Sequence, residues 1–504
     1  MMAPTEATTA PASTPAPART PWREAFEAYA AGIVAKHRIP GVAVAAALNG
    51  ETVYEGGFGF RNAEQELPVT AKTIFGLGSV AKSFTAVAVL QLQEAGVLSV
   101  GDPVVRWLPE FCLPGGWHGP QADLTPSVTL HDLLTHTAGL PPEYAMGYAR
   151  LEDVRSDPDL AWMTLPPRVR EQAAHLSPIS TYEEFIERVA SPAAALLAPP
   201  GELFSYSNEG YALLGAIVER ASGVAFPDYV RRHITKPLGL TRTACLRPDV
   251  ALEEPVAQRY ARGTKGGRPG IYAAPQWWGR GRILGHTGMV STVRDLLRYV
   301  RVFLNGGAVD GCRLLSAQSV WLMTARQVPI PTGGFYGYGV MIQDGYAGVR
   351  GRDVIFHGGG TKGVSAHIAF EPVRGAAAVG LAGLLNAPTH LVTYGALNGV
   401  LGLPLEAKGR TFPELSLAPE RLAEYAGVYR NEDAAAIKIS ATDGALVAET
   451  EELPPVRARP YEPDAFVALG GEVNARFLRD ARGEIWAISA GLRVYRRDRP
   501  HRER

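Results

Sequence analysis

Cysteine is scarce: Cys112, Cys245 and Cys312 are the three cysteines in 504 residues. An odd number of widely spaced thiols fits neither a disulfide framework nor a metal-ligand pattern, and free thiols suit a reducing compartment. Excess charge of either sign is also missing, since 50 Lys and Arg balance 50 Asp and Glu. That balance provides no basic field for nucleic acid. The stretch Arg493 to Arg504 is locally basic and reads as a solvated terminus. No run of about 18 apolar residues occurs, which argues against a conventional transmembrane helix. Residues 1–20 are rich in Ala, Pro and Thr and lack the basic start and apolar core of a secretory signal, so they read as a disordered leader. A cytoplasmic location is expected on these grounds. No cluster of His, Cys, Asp and Glu has metal-ligand spacing, so no metal or other cofactor is expected.

What is present is an ordinary globular composition, 46% hydrophobic and 20% charged. The length exceeds the ceiling of about 250 to 300 residues for one core, which predicts more than one domain. The stretch around which the chain is organised is Gly76-Leu77-Gly78-Ser79-Val80-Ala81-Lys82, with a mostly apolar run from Phe84 to Ala95. Ser79 and Lys82 stand one helical turn apart on one face. Val80, Phe84, Val87, Val89, Leu90 and Leu92 leave no polar stripe, so this helix is predicted to run through the core. Burial disfavours the charged amine and lowers the Lys82 pKa from about 10.4 toward neutrality. A serine beside a neutral amine, with its own N–H at the positive end of a helix, is a candidate nucleophile.

Along the chain, Trp22 to His37 reads as an amphipathic helix, and Val42 to Leu48 with Thr52 to Phe60 as a hairpin about Asn49-Gly50-Glu51. Thr129 to Leu134 is a short helix. The aperiodic stretch from Pro142 to Ser180 reads as a loop covering the site. Glu209 to Arg220 is a helix stopped by Gly223, and Gly263 to Gly288 is a second loop, carrying Trp277 and Trp278. Ser291 to Leu304 is helical. Tyr338 to Gln343, Val354 to His357, Val364 to Phe370 and Ala376 to Leu384 read as antiparallel strands. Beyond Pro413 come six short β-type runs: 427–429, 437–439, 445–449, 466–469, 476–478 and 485–488. They predict a small barrel. The expected division is residues 21–405 for an α/β domain and 413–500 for an all-β domain.

Three separated pieces remain: Ser79-x-x-Lys82, Tyr206-x-Asn208 before a helix, and His357-Gly358-Gly359-Gly360 between strands. In this order, with Leu134 to Pro141 between the first two, the chain resembles the serine β-lactamase and penicillin-binding-protein superfamily. Within it the chain is most similar to the group of class C β-lactamases, D-alanyl-D-alanine carboxypeptidases, D-aminopeptidases and related esterases. The resemblance implies an antiparallel sheet flanked by helices, an all-helical lobe and a site between them. It also implies that the C-terminal segment is a lipocalin-like domain. Ser79 would form the acyl-enzyme, Lys82 and Tyr206 would act as a coupled base and proton relay, and Asn208 would hold Lys82 and the substrate amide. The N–H groups of Ser79 and Gly360 would form the oxyanion hole, with Gly359 letting the strand edge approach the substrate. A cationic Lys82 would lower the Tyr206 phenol toward a useful base.

Where lactamases of the group carry Lys-Thr-Gly, this chain has His357-Gly358-Gly359. An imidazole expected to titrate near neutrality replaces a fixed cation that attracts a substrate carboxylate. His286-Thr287-Gly288 is set aside as a decoy because a helix follows it, and His136-Thr137 reads as a structural tie between loops. The expected activity is that of a cofactor-independent serine hydrolase acting on small peptides with D-residues or on small esters. Its partner is the small substrate, and a homo-oligomer is possible. The competing readings are a weak β-lactamase or penicillin-binding enzyme and, from another class, a non-catalytic binding or scaffold protein.

Overall fold

Val42, Val44 and Ala46 of strand β1 (Gly41–Leu48) join one apolar cluster, and Ala43, Ala45 and Ala47 join another. Successive side chains of a strand point to opposite faces, so a strand that is apolar at every position is buried on both. This strand lies inside a nine-stranded antiparallel sheet. The other strands are β2 (Glu51–Asn62), β3 (Leu67–Pro68), β4 (Val328–Pro329), β5 (Phe335–Tyr336), β6 (Met341–Gln343), β7 (Val354–Thr361), β8 (Val364–Glu371) and β9 (Ala376–Ala382). Their spatial order is β4-β5-β6-β7-β8-β9-β1-β2-β3. β9 therefore joins the C-terminal part of the sheet to the N-terminal part, pairing Ala382 with Val42 and Ala376 with Leu48.

The computed structural model describes residues 21–111, 127–151, 175–190, 196–245, 255–265, 268–274, 283–407, 409–431, 436–450 and 454–498. The expected leader, Cys112, Trp277, Trp278 and much of the two expected loops lie outside them. Helices used below are α1 (Pro21–Lys36), α2 (Ala81–Glu94), α3 (Leu130–Thr135), α4 (Tyr144–Ala149), α5 (Tyr182–Val189), α6 (Asn208–Ser222), α7 (Val293–Leu304) and α8 (Thr389–Leu401). α1 and α8 cover one sheet face through Phe26, Ala30, Val392 and Leu397. α7 covers the other face through Leu296, Val300 and Phe303, where the core continues into the lobe built by α2 to α6. α2 is buried nearly throughout, as expected, and its Phe84 stacks on Tyr299 with ring centroids 3.9 Å apart. Among the described residues no helix is long and apolar enough to cross a membrane.

The C-terminal segment is a closed eight-stranded barrel. Its strands are β10 (Gly427–Arg430), β11 (Ile437–Thr442), β12 (Ala445–Glu449), β13 (Val456–Glu462), β14 (Ala465–Ala468), β15 (Val473–Arg479), β16 (Ile485–Ala490) and β17 (Arg493–Arg497). Tyr425, Leu446, Phe466, Phe477 and Ile488 fill it. Two of these strands, β13 and β17, depart from the sequence reading. Residues 493–497 are not a solvated tail: β17 closes the barrel against β10, pairing Arg497 with Tyr429. The expected loop from Gly263 also differs, because Tyr260–Lys265 and Arg268–Ala273 pair as a hairpin.

Candidate active site

Ser79 occupies a single 3-10 turn, Gly78–Val80, immediately before α2. The chain reaches it through a glycine at φ +51°, where an added Cβ would lie 2.6 Å from the Gly360 nitrogen. A Cβ on Gly359 would lie 2.0 Å from the Leu77 carbonyl oxygen. The turn and the edge of β7 thus meet backbone to backbone, which requires glycine on both sides. That contact brings the Gly360 N–H close to the turn that carries Ser79.

Lys82 is fully buried while Ser79 is partly open. The lysine Nζ lies 2.7 Å from Asn208 Oδ1, 3.0 Å from the His286 carbonyl oxygen and 3.2 Å from Ser79 Oγ. Burial lowers its pKa well below the ordinary value; Glu143 pulls it back up, and Arg150 and Arg493 push it further down. This is the direction that burial dictates. The segment rejected as a decoy supplies a backbone oxygen to this lysine, and it leads into a short strand, Met289–Ser291, before α7 begins.

Tyr206 and Asn208 flank Ser207, the N-cap of α6. His136, left-handed at φ +61° after α3, fixes this corner. Its Nδ1 accepts the Ser207 N–H at 3.1 Å and its carbonyl accepts the Ser205 N–H at 3.0 Å. The Tyr206 ring lies with its centroid 4.7 Å from Lys82 Nζ. Burial pushes its phenol pKa well above the ordinary value, and Ser79 and Arg493 draw it only part of the way back. The neutral phenol is the stable form here, because desolvation outweighs the Ser79 hydrogen bond and the charge of Arg493.

His357 is a correction to the sequence reading. It is 1% exposed, and burial together with the charge of Lys82 lowers its pKa to about 3. Nδ1 donates to the Gly358 carbonyl at 2.6 Å, and Nε2 accepts from the Tyr336 hydroxyl at 3.2 Å. It is a neutral tie inside the wall of the site, not a group titrating near neutrality.

Three charged residues were not foreseen. Glu143 accepts from Asn208 Nδ2 at 2.7 Å and is held by Arg150 at 2.5 Å and Arg493 at 2.6 Å. Burial alone would raise its carboxyl, but the two guanidiniums hold it well below the usual carboxylate range. Arg493 belongs to the barrel. The preceding residue, Leu492, packs on the cluster of Phe204, Tyr206, Tyr336 and Met341, and its carbonyl accepts the Tyr206 N–H at 2.9 Å. Glu143 and Arg493 are 350 positions apart. No periodicity or motif spans such a gap.

An antiparallel sheet between helices, with a helical lobe beside it and a serine–lysine pair where they meet, is the architecture of a serine hydrolase. The chain belongs to the Beta-lactamase family, whose model matches residues 26–394. It is 30% identical over 366 residues to penicillin-binding protein 4 of Amycolatopsis lactamdurans, covering 71% of this chain and 83% of that protein. Among solved structures it is similar to the octameric penicillin-binding protein homologue from Pyrococcus abyssi. That match has 26% identity and a TM-score of 0.64, and covers 94% of this chain and 99% of the homologue. It is likewise similar to SurE solved with D-Leu, with 25% identity and a TM-score of 0.66 over 95% of this chain and 99% of SurE.

Proposed function

We propose that the protein forms an acyl-enzyme on Ser79 and acts on small peptides containing D-residues or on small esters. The observation that carries the reading is the surroundings of Lys82. Asn208 Oδ1 and the His286 carbonyl can only accept, so they take two N–H bonds of a neutral amine. The remaining direction, toward Ser79 Oγ, is left for the lone pair. In that arrangement the serine proton passes to Lys82 as the Oγ–carbonyl carbon bond forms. The N–H groups of Ser79 and Gly360 take the oxyanion. As the tetrahedral species collapses, the Tyr206 hydroxyl gives its proton to the departing amine or alcohol and recovers one from Lys82. Water then enters by the same steps in reverse and releases the acid. The raised Tyr206 pKa supports the role of acid first, with base character arising only when Lys82 is charged beside it.

SurE's crystal form with D-Leu supports a D-residue in the substrate. The absence of a cation at His357 weighs against efficient use of β-lactams, whose carboxylate that position holds in relatives with Lys-Thr-Gly. The octameric neighbour supports a homo-oligomer, and the free thiol of Cys312 supports a reducing, cytoplasmic setting. The division into residues 21–405 and 413–500 is supported by the separate core of the barrel.

The test is intact-mass measurement after brief exposure to an activated short-chain ester or a penicillin, with Ser79→Ala beside the parent. An acyl mass on the parent alone, released faster from the ester adduct, is the expected result. Rapid turnover of penicillin and none of the ester would favour the lactamase reading. No adduct with either reagent on folded protein would favour a scaffold.

A further inference from the structure

We propose that Glu143 is a positioning residue for the Lys82 base and that the C-terminal barrel tunes that base through Arg493. The inference rests on the assignment of Ser79 and Lys82 as nucleophile and base and adds to it a relay that enters the site from the far end of the chain.

The relay begins with the amide of Asn208, whose two ends are chemically unlike. A carboxylate only accepts, so Glu143 Oε1 at 2.7 Å fixes the Nδ2 end toward itself. The Oδ1 end is thereby turned to Lys82 Nζ, also at 2.7 Å. Flipping the amide would set N–H against N–H and oxygen against oxygen. Glu143 thus holds the acceptor that orients the amine.

Glu143 is in turn held from two sides. Arg150, just beyond α4, binds Oε2, and Arg493, the first residue of β17, binds Oε1. Arg493 is placed by the turn before it: the Leu492 carbonyl accepts the Tyr206 N–H at 2.9 Å, and the Val494 N–H donates to Ser205 Oγ at 3.3 Å. The barrel is therefore registered on both sides of Arg493 against the loop that carries Tyr206.

The imidazoles and phenols near Lys82 are neutral. His136 behind the Tyr206 corner, His286 before α7 and His357 on β7 are all held well below the ordinary imidazole value, first by burial. The phenols of Tyr206 and Tyr211 are held well above theirs by burial. Glu209, next along α6, turns its carboxylate to the Ala145 N–H. The charges that act on the base are Glu143, which raises its proton affinity, and Arg150 and Arg493, which lower it.

The opposite signs give a test that loss of structure would not mimic. The acylation rate constant is measured against pH with p-nitrophenyl acetate in single turnover, on the full chain. Its leaving group needs no proton, so the acidic limb reports the neutral fraction of Lys82. Glu143→Gln keeps an acceptor for Asn208 and removes the negative charge, so the limb should move down by about one pH unit. Arg493→Met removes a positive charge and should move it up by about one unit. Arg493→Lys should bring it back toward the parent. A limb midpoint does not depend on how much of a preparation is active, so partial misfolding leaves it readable. Limbs that stay put, or that move the same way in Glu143→Gln and Arg493→Met, would overturn the inference alone, provided the parent is labelled on Ser79. A parent that is not labelled, or a Ser79→Ala variant that still is, would overturn the underlying assignment and the inference with it.

Discussion

At the scale of single residues, burial displaces Lys82 and Tyr206 in opposite directions, and both displacements favour the uncharged form. A neutral amine next to a neutral phenol is a base paired with an acid. The two jobs separate in a Tyr206→Phe variant. Acylation by p-nitrophenyl acetate should stay within about tenfold of the parent, because that leaving group departs as the anion. Turnover should fall by about 10²- to 10⁴-fold, the usual worth of a positioned proton donor or acceptor. A burst of p-nitrophenol near one per site with a persistent acyl mass is the expected reading. Equal loss of burst rate and turnover would instead make Tyr206 part of the acylation base. Ser79, Lys82, Tyr206, Asn208 and the glycines were legible because each belongs to a short local pattern. Proton affinities were legible only in part. For Lys82 an apolar helix announces the burial, whereas the burial of Tyr206 and His357 comes from Tyr336, Leu492 and other residues far away in sequence.

At the scale of elements, the turn before α2 and the edge of β7 are one unit, because each leaves room for the other's backbone. Gly78→Ala would force a side chain to within 2.6 Å of the Gly360 nitrogen at a φ of +51°. The strained backbone alone costs about 1 to 2 kcal/mol. The larger expected effect is on activity: the oxyanion donors separate, and losing one such donor costs about 10²- to 10³-fold in kcat. The expected result is a slow enzyme with a modestly lowered melting temperature; parent-like kcat would remove the turn from the oxyanion site. Elements with a clean period were readable in advance, as the fully apolar β1 and the buried α2 illustrate. β13 hid behind Arg457, Arg459 and Pro460, and β17 behind three arginines in five residues. Barrel strands expose one face, and where that face is arginine the alternation resembles a basic linker or tail. The hairpin Tyr260–Lys265 with Arg268–Ala273 was missed for the same reason, its Gly, Arg and Pro giving no apolar alternation.

At the scale of the whole molecule, the barrel and the hydrolase part have separate apolar cores, and the bonds between them are largely polar. Arg476 donates to the Pro331 carbonyl, Asn474 to that of Thr332, and Arg496 to those of Leu196 and Leu197. Among the described residues Leu492 adds an apolar contact, and it falls on the Tyr206 cluster. Such an interface holds position more than it holds the fold together. A chain ending at residue 412 keeps the sheet, its covering helices and the lobe, and is expected to remain folded with a single cooperative thermal transition. Its site would change in two ways at once. Tyr206 loses the carbonyl that anchors its N–H, and Glu143 loses one of its two guanidiniums, which leaves Lys82 nearer its charged state. Below the pH at which the full chain is fully active, the shortened chain should therefore acylate more slowly by at least about tenfold, with the deficit narrowing as pH rises and the amine is neutralised. A deficit constant across pH would assign the barrel to anchoring Tyr206 alone, and failure of the shortened chain to fold would make the barrel part of the hydrolase's own stability.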